Sequence, residues 1–519
     1  MIIFVNSMNK LLLALLSGFL LVFSWPPIGF FPLIFVALVP LLYIEKESRN
    51  SGQVFAYSFL AFFIFNGFTT YWIYHATIFG AIAAFLINTT LMALIFLLFH
   101  KIKEVNSDKL GYFSLIVFWI SMEYLHLNWD LSWPWLTLGN AFASSPLVIQ
   151  WYEFTGFLGG SLWVLLVNIV LSIIVLKIYD RNHLIFLLLI VLLVPIIISS
   201  YIFINFEEDN TGNIDVMIIQ PNVDPYVDKF SIGYQQQLID LISLAETALT
   251  KETQLLVAPE TALLEGIWEN NIYNTYSIKA FRSLQEKFPN LNILAGANTY
   301  KIFRDGEQKT NTARQIRDEN IFYDVYNSAV FIPNNGNIQF YHKTKLVPGV
   351  EKMPFPYILD PLARMAVELG GTSGSLGSLN YLNSFLVHEA IVSPLICYES
   401  VYGEMRLGQT NLLAIITNDG WWKNTAGYKQ HFQYARLRAI EQRKSIVRSA
   451  NTGISGVINA KGNVLQQSSW NEAVCLTANV PINNIKTFYN KHGDFIGRIC
   501  VFMAILLIII SFVKARLRE

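Results

Sequence analysis

Charge is what this sequence has least of. Only 14% of its 519 residues are Asp, Glu, Lys or Arg, against about 25% in an ordinary soluble protein. The 37 basic residues match the 37 acidic ones, so no charge excess argues for nucleic-acid binding. Cysteine is scarce too. Cys397, Cys475 and Cys500 are too few for a disulfide scaffold and lack metal-ligand spacing. There is no glycine-rich phosphate fingerprint and no internal repeat. These absences exclude a simple soluble enzyme, a disulfide-stapled domain and a charge-driven nucleic-acid binder.

What the chain has is apolar sequence, 53% of residues, with a mean hydropathy of +0.41. It is concentrated in runs. A bilayer core takes about 20 apolar residues to cross as a helix, and spans are expected near 9–25, 30–45, 53–74, 77–100, 112–127, 159–178, 184–204 and 497–513. The second is the weakest, being short and opening after Trp25-Pro26-Pro27. The first lacks a small-residue cleavage site and is taken as an uncleaved helix rather than a signal peptide. With the N-terminus inside, Lys10, Lys46, Arg49, Lys101, Lys103, Lys109, Lys177, Arg181, Lys514, Arg516 and Arg518 share the cytoplasmic side. The opposite loops 25–30, 74–77 and 127–158 carry no Lys or Arg. Seven spans then place 206–490 outside the cytoplasm, between a membrane domain over 1–205 and an eighth helix with a cytoplasmic tail over 491–519.

Loop 127–158, with Trp129, Trp133, Trp135, Trp151 and Tyr152, is expected along the outer interface, as an anchor or as a lipid entry. Glu123 and Asp130 stand near its start. Asn66 and Asn88 are the nearest polar residues to mid-span, where small polar groups serve helix contacts.

Residues 213–485 alternate strand and helix signals. Strands are expected at Ile214–Gln220, Gln254–Ala258, Asn292–Ala297, Ser328–Ile332, Ala390–Ile396, Leu412–Thr417 and Ser445–Arg448. They are nearly continuously apolar, as strands buried on both faces are. Helices are expected at Ser231–Lys251, Tyr273–Lys287 and Lys429–Glu441, giving a layered α/β domain. The glycine-rich segment within 352–388 is loop-like, either a lid or lipid-contacting arm or a plain insertion.

Three strand ends carry reactive side chains. Glu260 follows Leu255-Leu256-Val257-Ala258-Pro259, where partial burial raises a carboxylate towards a general base; alone, it is more simply an exposed strand-end Glu. Lys343 and Lys345, in Tyr341-His342-Lys343-Thr344-Lys345, suit oxyanion stabilisation or a solvated basic end. Alternation puts both on one strand face and does not rank them. Cys397 follows Ser393-Pro394-Leu395-Ile396, as a turn-borne nucleophile or an inert buried thiol. Cys475 and Cys500 are taken as structural.

Glu260, Tyr341-x-Lys343 and Cys397-Tyr398-Glu399, in that order, resemble the Glu–Lys–Cys triad of the nitrilase (carbon–nitrogen hydrolase) superfamily. Leu346-Val347-Pro348-x-x-Glu351 and Thr417-Asn418-Asp419-Gly420-Trp421-Trp422 extend the match. The family pattern Pro-Phe-Gly-Glu stands here as Pro348-Gly349-Val350-Glu351, the Glu keeping its spacing. With the flanking spans, Trp133-Pro134-Trp135-Leu136-x-x-Gly139 and Thr487-Phe488-Tyr489-x-x-x-Gly493-Asp494, essentially the whole chain resembles the apolipoprotein N-acyltransferase family.

The resemblance implies a polytopic α-helical membrane domain plus an α/β nitrilase-like (αββα sandwich) extracytoplasmic domain, in a bacterial inner membrane with the catalytic domain on the periplasmic side. It implies a monomer that needs no cofactor or metal. Cys397 takes the sn-1 acyl chain of a phospholipid, typically phosphatidylethanolamine, and passes it to the α-amine of a diacylglyceryl lipoprotein. Glu260 is the general base. Lys343 and the Tyr398 N–H hold the oxyanion. Glu351 orients the Lys and Glu pair, and Tyr398 and Glu399 shape the entrance. A family aromatic near the acyl site corresponds to Tyr226 or Phe230. A membrane-anchored nitrilase-type amidase uses the same triad but leaves seven spans unexplained. A transporter or scaffold leaves the triad unexplained.

Overall fold

A computed structural model of the chain describes residues 2–48, 50–178, 181–208, 211–227, 231–316, 320–356, 375–379, 382–405 and 407–517. The chain divides into a helical unit, Met1–Phe206 with Thr487–Glu519, and a sheet unit, Glu207–Lys486.

In the helical unit, Ser51–Thr70, Ile78–Val105, Phe157–Val175, Asn182–Asn205 and Phe495–Arg516 are helices long and apolar enough to cross a membrane. Ile2–Ser24 is a 23-residue helix, apolar over Asn9–Ser24. Asp108–His126 is a 19-residue helix made more polar by Asp108, Lys109 and Glu123. The span expected over 30–45 is not one helix. It is a 3₁₀ turn, Phe31–Phe35, followed by an eight-residue helix, Val39–Lys46, each with a proline in its first turn. Proline suits a helix start because its missing N–H is not needed there. Pro32 and Pro40 therefore begin two short elements. An eight-residue helix rises only about 12 Å, short of a bilayer core of about 30 Å.

Loop 127–158 packs part of its aromatic content inward. Trp135 and Tyr152 are buried within the helical unit. The Trp135 ring centroid lies 4.8 Å from that of Trp72, and Tyr152 Oη donates to Gly139 O at 2.9 Å. A Cβ on Gly139 would fall 1.9 Å from Phe157 O, so the close approach requires glycine there. Glu123 fastens the loop, accepting from Trp119 Nε1 at 2.9 Å and Leu138 N at 2.8 Å. Asn88 Nδ2 donates to Asn66 Oδ1 at 2.7 Å, a polar tie between two apolar helices.

The sheet unit has, in chain order, β1 (Gly212–Gln220), β2 (Leu255–Val257), β3 (Leu263–Trp268), β4 (Asn292–Ile302), β5 (Arg314–Gln315), β6 (Phe322–Ile332), β7 (Gln339–His342), β8 (Phe385–Val387), β9 (Ala390–Ile396), β10 (Leu412–Thr417), β11 (Ser445–Ala450), β12 (Gly456–Ile458), β13 (Val464–Gln467) and β14 (Val474–Ile482). One sheet runs β14-β1-β2-β4-β6-β5, with β3 beside β4 and β7 beside β6. The other runs β13-β12-β11-β10-β9-β8. Each has a parallel heart: β1, β2 and β4 in one, β9, β10 and β11 in the other.

Alternation along the strands builds four layers. Ile214, Val216 and Ile218 of β1 join Val392, Leu412, Ala414 and Val447 in one core between the sheets. Met217 and Ile219, pointing the other way, pack with Leu238, Leu241, Phe281 and Leu284 from helices Tyr234–Glu246 and Tyr276–Lys287. Leu413 and Ile415 of β10 face Phe432, Ala435 and Ala439 of helix Ala426–Gln442. The result is an αββα sandwich. In both hearts the parallel strands end on the same side as their following loops, the place where open α/β sheets present reactive groups.

Candidate active site

Glu260 stands three residues past β2, and its backbone is wedged against β4. A Cβ on Gly296 would meet Glu260 Cα and Thr261 N at 2.6 Å. The next residue, Thr261, has φ +51°. Glu260 is 8% exposed, so the exposed strand-end alternative does not describe it. Its Oε1 accepts from Asn327 Nδ2 at 2.7 Å and Lys343 Nζ at 3.3 Å, and its Oε2 accepts from Asn418 N at 3.2 Å.

The structure separates the two lysines. β7 stops at His342, so Lys343 and Lys345 do not share a strand face. Lys343 is 1% exposed and its Nζ lies 2.7 Å from Glu351 Oε1. Lys345 is half-buried and sits over the Tyr402 ring, 5.0 Å from its centroid. Burial pushes the Lys343 ammonium towards neutrality, but the charges of Glu351 and Glu260 outweigh it and hold its pKa above the ordinary lysine value.

Cys397 directly follows β9, with φ +50°. An L-residue held there costs about 1–2 kcal/mol. Such a sharp strand-to-helix turn lifts a nucleophile's side chain out of the sheet. The thiol is buried. Burial first, then the charge of Glu260, push its pKa well above the ordinary value, against the pull of Lys343. It therefore rests as a thiol and becomes a nucleophile only when a base takes its proton.

Glu351 closes the cluster. Its Oε1 accepts from Asn327 Nδ2 at 2.9 Å as well as from Lys343, and its Oε2 accepts from Val347 N at 2.8 Å. Asn327 was not singled out in the sequence, yet one amide nitrogen bridges both carboxylates. Its only sequence signal was its place just before the apolar run Ser328–Ile332.

Glu399 and Tyr398 do not lie open at an entrance. Both are buried. Glu399 Oε1 accepts from Tyr341 Oη and Thr344 Oγ1 at 2.7 Å and from Lys345 N at 3.2 Å, while Oε2 accepts from Ile396 N at 2.8 Å. It pins the segment carrying Lys343 to the turn carrying Cys397. With Thr344 N, which donates to Oε1 at 2.5 Å, five hydrogen-bond donors favour a buried acceptor there over an entrance residue.

Behind Cys397 lies a second charged group. Asp419 accepts from Arg448 Nη2 at 2.7 Å and Thr417 Oγ1 at 2.9 Å, and lies 2.9 Å from His431 Nδ1. Burial raises its pKa, but Arg448 and His431 outweigh this and hold it at about 2. Asp419 lay within the motif of the sequence reading; His431 and Arg448 were missed. Arg448, a charge closing an apolar strand, was the available signal.

Tyr226 is partly exposed. It donates from Oη to Trp421 O at 2.7 Å, with ring centroids 5.4 Å apart, beside the Asn418–Asp419 turn. Phe230 and most of the 352–388 segment lie outside the described residues. Among the described residues no group of three or more His, Cys, Asp or Glu side chains is placed to hold a metal ion.

A buried thiol on a strained turn, coupled to a Glu and a Lys from neighbouring strand ends, is the equipment for nucleophilic acyl chemistry. The carbon-nitrogen hydrolase family model matches residues 230–489. The chain belongs to the carbon–nitrogen hydrolase family. The model of the apolipoprotein N-acyltransferase N-terminal domain matches residues 17–170, and the two together place this hydrolase-family chain in the apolipoprotein N-acyltransferase branch. The apolipoprotein N-acyltransferase of Chlorobaculum tepidum is 28% identical, over 97% of this chain and 97% of its own. That of Haemophilus influenzae is 28% identical over 95% and 92%. Among solved structures, a CN-hydrolase superfamily protein from Xanthomonas campestris aligns at 14% identity with a TM-score of 0.35, covering 52% of this chain and 91% of its own.

Proposed function

We propose that this chain moves the sn-1 acyl chain of a phospholipid, phosphatidylethanolamine in the first instance, onto the α-amine of the S-diacylglyceryl cysteine that begins an apolipoprotein. Glu260 takes the proton from Cys397 Sγ, and the sulfur attacks the ester carbonyl. Lys343 and the Tyr398 N–H stabilise the oxyanion. The carbonyl carbon–oxygen bond to glycerol breaks, the proton on Glu260 passes to the glycerol oxygen, and a lysophospholipid leaves a thioester behind. The lipoprotein amine then attacks that thioester. Glu260 takes the amine proton, the carbon–sulfur bond breaks, and the proton returns to Sγ. Glu351 and Asn327 keep Lys343 and Glu260 in register. The kinetics are ping-pong. The protein works as a monomer in a bacterial inner membrane with its sheet unit on the periplasmic side, a reading supported by the Lys and Arg placement.

The observation that carries this reading is the buried Glu260–Lys343 pair, 3.3 Å apart, with the buried Cys397 thiol close enough to feel both charges. It occurs on a chain whose other unit has, among the described residues, five helices long and apolar enough to cross a membrane. The test is intact-protein mass spectrometry after incubation with a phospholipid labelled in the sn-1 chain. A hydroxylamine-labile adduct is expected on the wild type and not on Cys397→Ser, and a diacylglyceryl-cysteine peptide should discharge it. Absence of both adduct and lysophospholipid sinks the proposal. An adduct discharged by water as fast as by the peptide supports the amidase reading instead.

A further inference from the structure

The Asp419–His431–Arg448 group reaches the candidate site at the backbone carbonyl of the nucleophile. His431 Nε2 lies 3.2 Å from Cys397 O and 2.8 Å from Ser400 Oγ. Ser400 Oγ donates its single proton to the same carbonyl at 2.7 Å. Having given it there, the hydroxyl meets His431 only as an acceptor, so Nε2 carries hydrogen. The opposite ring nitrogen, Nδ1, lies 3.0 Å from Arg448 Nη2, which can only donate, and 2.9 Å from Asp419 Oδ1, and Arg448 also holds Asp419 at 2.7 Å. All three side chains of the group are fully buried, so water does not replace any of these contacts.

The carbonyl of Cys397 belongs to the same peptide plane as the N–H of Tyr398. Cis peptides among the described residues are confined to Pro26-Pro27, so this one is trans. In a trans peptide the C=O and N–H point in opposite directions, and the plane does not bend. The Ser400 hydroxyl donating to the carbonyl, and the one Nε2–H of His431 shared between that hydroxyl and the carbonyl, therefore fix where the N–H points. They also polarise the peptide and strengthen that N–H as a donor. The constraint has a purpose at a residue with φ +50°, where the local backbone preference opposes the observed conformation.

We propose that His431, buttressed by Asp419 and Arg448 and assisted by Ser400, is a positioning residue that orients the Cys397–Tyr398 peptide as an oxyanion donor. The inference rests on the acyl-transfer reading, in which that N–H faces the tetrahedral intermediate.

The test uses the full-length protein in detergent and two reactions at the same sulfur. Acylation by labelled phospholipid passes through an oxyanion; alkylation by iodoacetamide does not. His431→Leu is expected to slow acyl-adduct formation about ten- to a hundredfold, below the 10²–10³ of losing a donor outright, with alkylation within about threefold of wild type. His431→Gln, which retains an N–H donor, should recover part of the loss. Acylation unchanged, or acylation and alkylation falling together, overturns the proposal. Should His431→Leu fail to fold, Ser400→Ala decides alone, because it removes one donor to the carbonyl and leaves the buried charges paired. A selective fall in its acylation supports the inference and no fall overturns it. A wild type that alkylates but never acylates refutes the acyl-transfer reading itself, and is seen before any variant is made.

Discussion

Two buried charged clusters flank Cys397, and they differ in their balance. On one side Glu260 and Glu351 share a single ammonium, Lys343, with Asn327 bridging the carboxylates. On the other side Asp419 has a guanidinium to itself and an imidazole besides. The first cluster is short of positive charge and the second is not. Two carboxylates on one cation leave negative charge unbalanced beside the thiol, whereas a matched carboxylate is a fixture. Equal burial therefore serves opposite ends: one cluster sets excess negative charge beside the nucleophile, and the other holds the backbone that carries it.

The largest effect expected is a split at Glu260. Glu260→Gln should lower the acylation rate about 10²–10⁴-fold through loss of the base. The same change removes a negative charge that holds the Cys397 thiol up, so iodoacetamide should alkylate Cys397 at lower pH than in the wild type. Rate against pH for both reactions checks this; alkylation moving the other way breaks the contrast. Next, Lys343→Met leaves the two carboxylates without their cation and should destabilise the fold by about 3–5 kcal/mol. Thermal unfolding in detergent measures it, and adding Glu351→Gln should recover part of the loss.

Gly296→Ala tests the wedge behind Glu260. Its Cβ would meet backbone atoms at 2.6 Å, and overpacking of this kind costs about 1–3 kcal/mol. Acylation should fall further than the stability loss explains, since Glu260 itself is displaced. The matched cluster should respond only to acid. Asp419 titrates at about 2 in the fold against an ordinary 3.8. Its stabilisation is complete above the ordinary value and is lost as pH falls from about 4 to 2, roughly 2 kcal/mol in all. Unfolding midpoints across that window read it. The smallest effect belongs to Lys345→Ala, which removes a contact with Tyr402 worth about 0.5–1 kcal/mol and should leave acylation near the wild-type rate.

The parallel hearts of both sheets were legible because their strands are short apolar runs, buried on both faces, as in Leu412–Thr417. The half-exposed strands β5 and β13 and the short β8 and β12 carry no such signature. Their ladders decide them instead. The membrane runs were legible for the same reason of composition, except over 30–45, where two prolines outweigh hydropathy. Glu260, Lys343 and Cys397 were visible through the motifs around them. Glu399 was visible as a residue but misjudged as a lining group, because all its donors but Ile396 N come from a segment 54–58 positions earlier in the chain.

By itself the sequence determined which stretches are apolar, which side of the helical segments carries the basic residues, and which strand ends carry a Glu and a Cys. These are short-range properties, set by composition and by neighbours a few positions away. Only the tertiary structure decided that Asn327 bridges the carboxylates of Glu260 and Glu351, that Glu399 is buried among donors, and that His431 stands against the carbonyl of Cys397. Those choices depend on contacts between residues far apart in the chain, such as Asn418 N with Glu260 across 158 positions. A buried polar group is fixed by whichever partners the packed sheets bring to it, and no local pattern names them in advance.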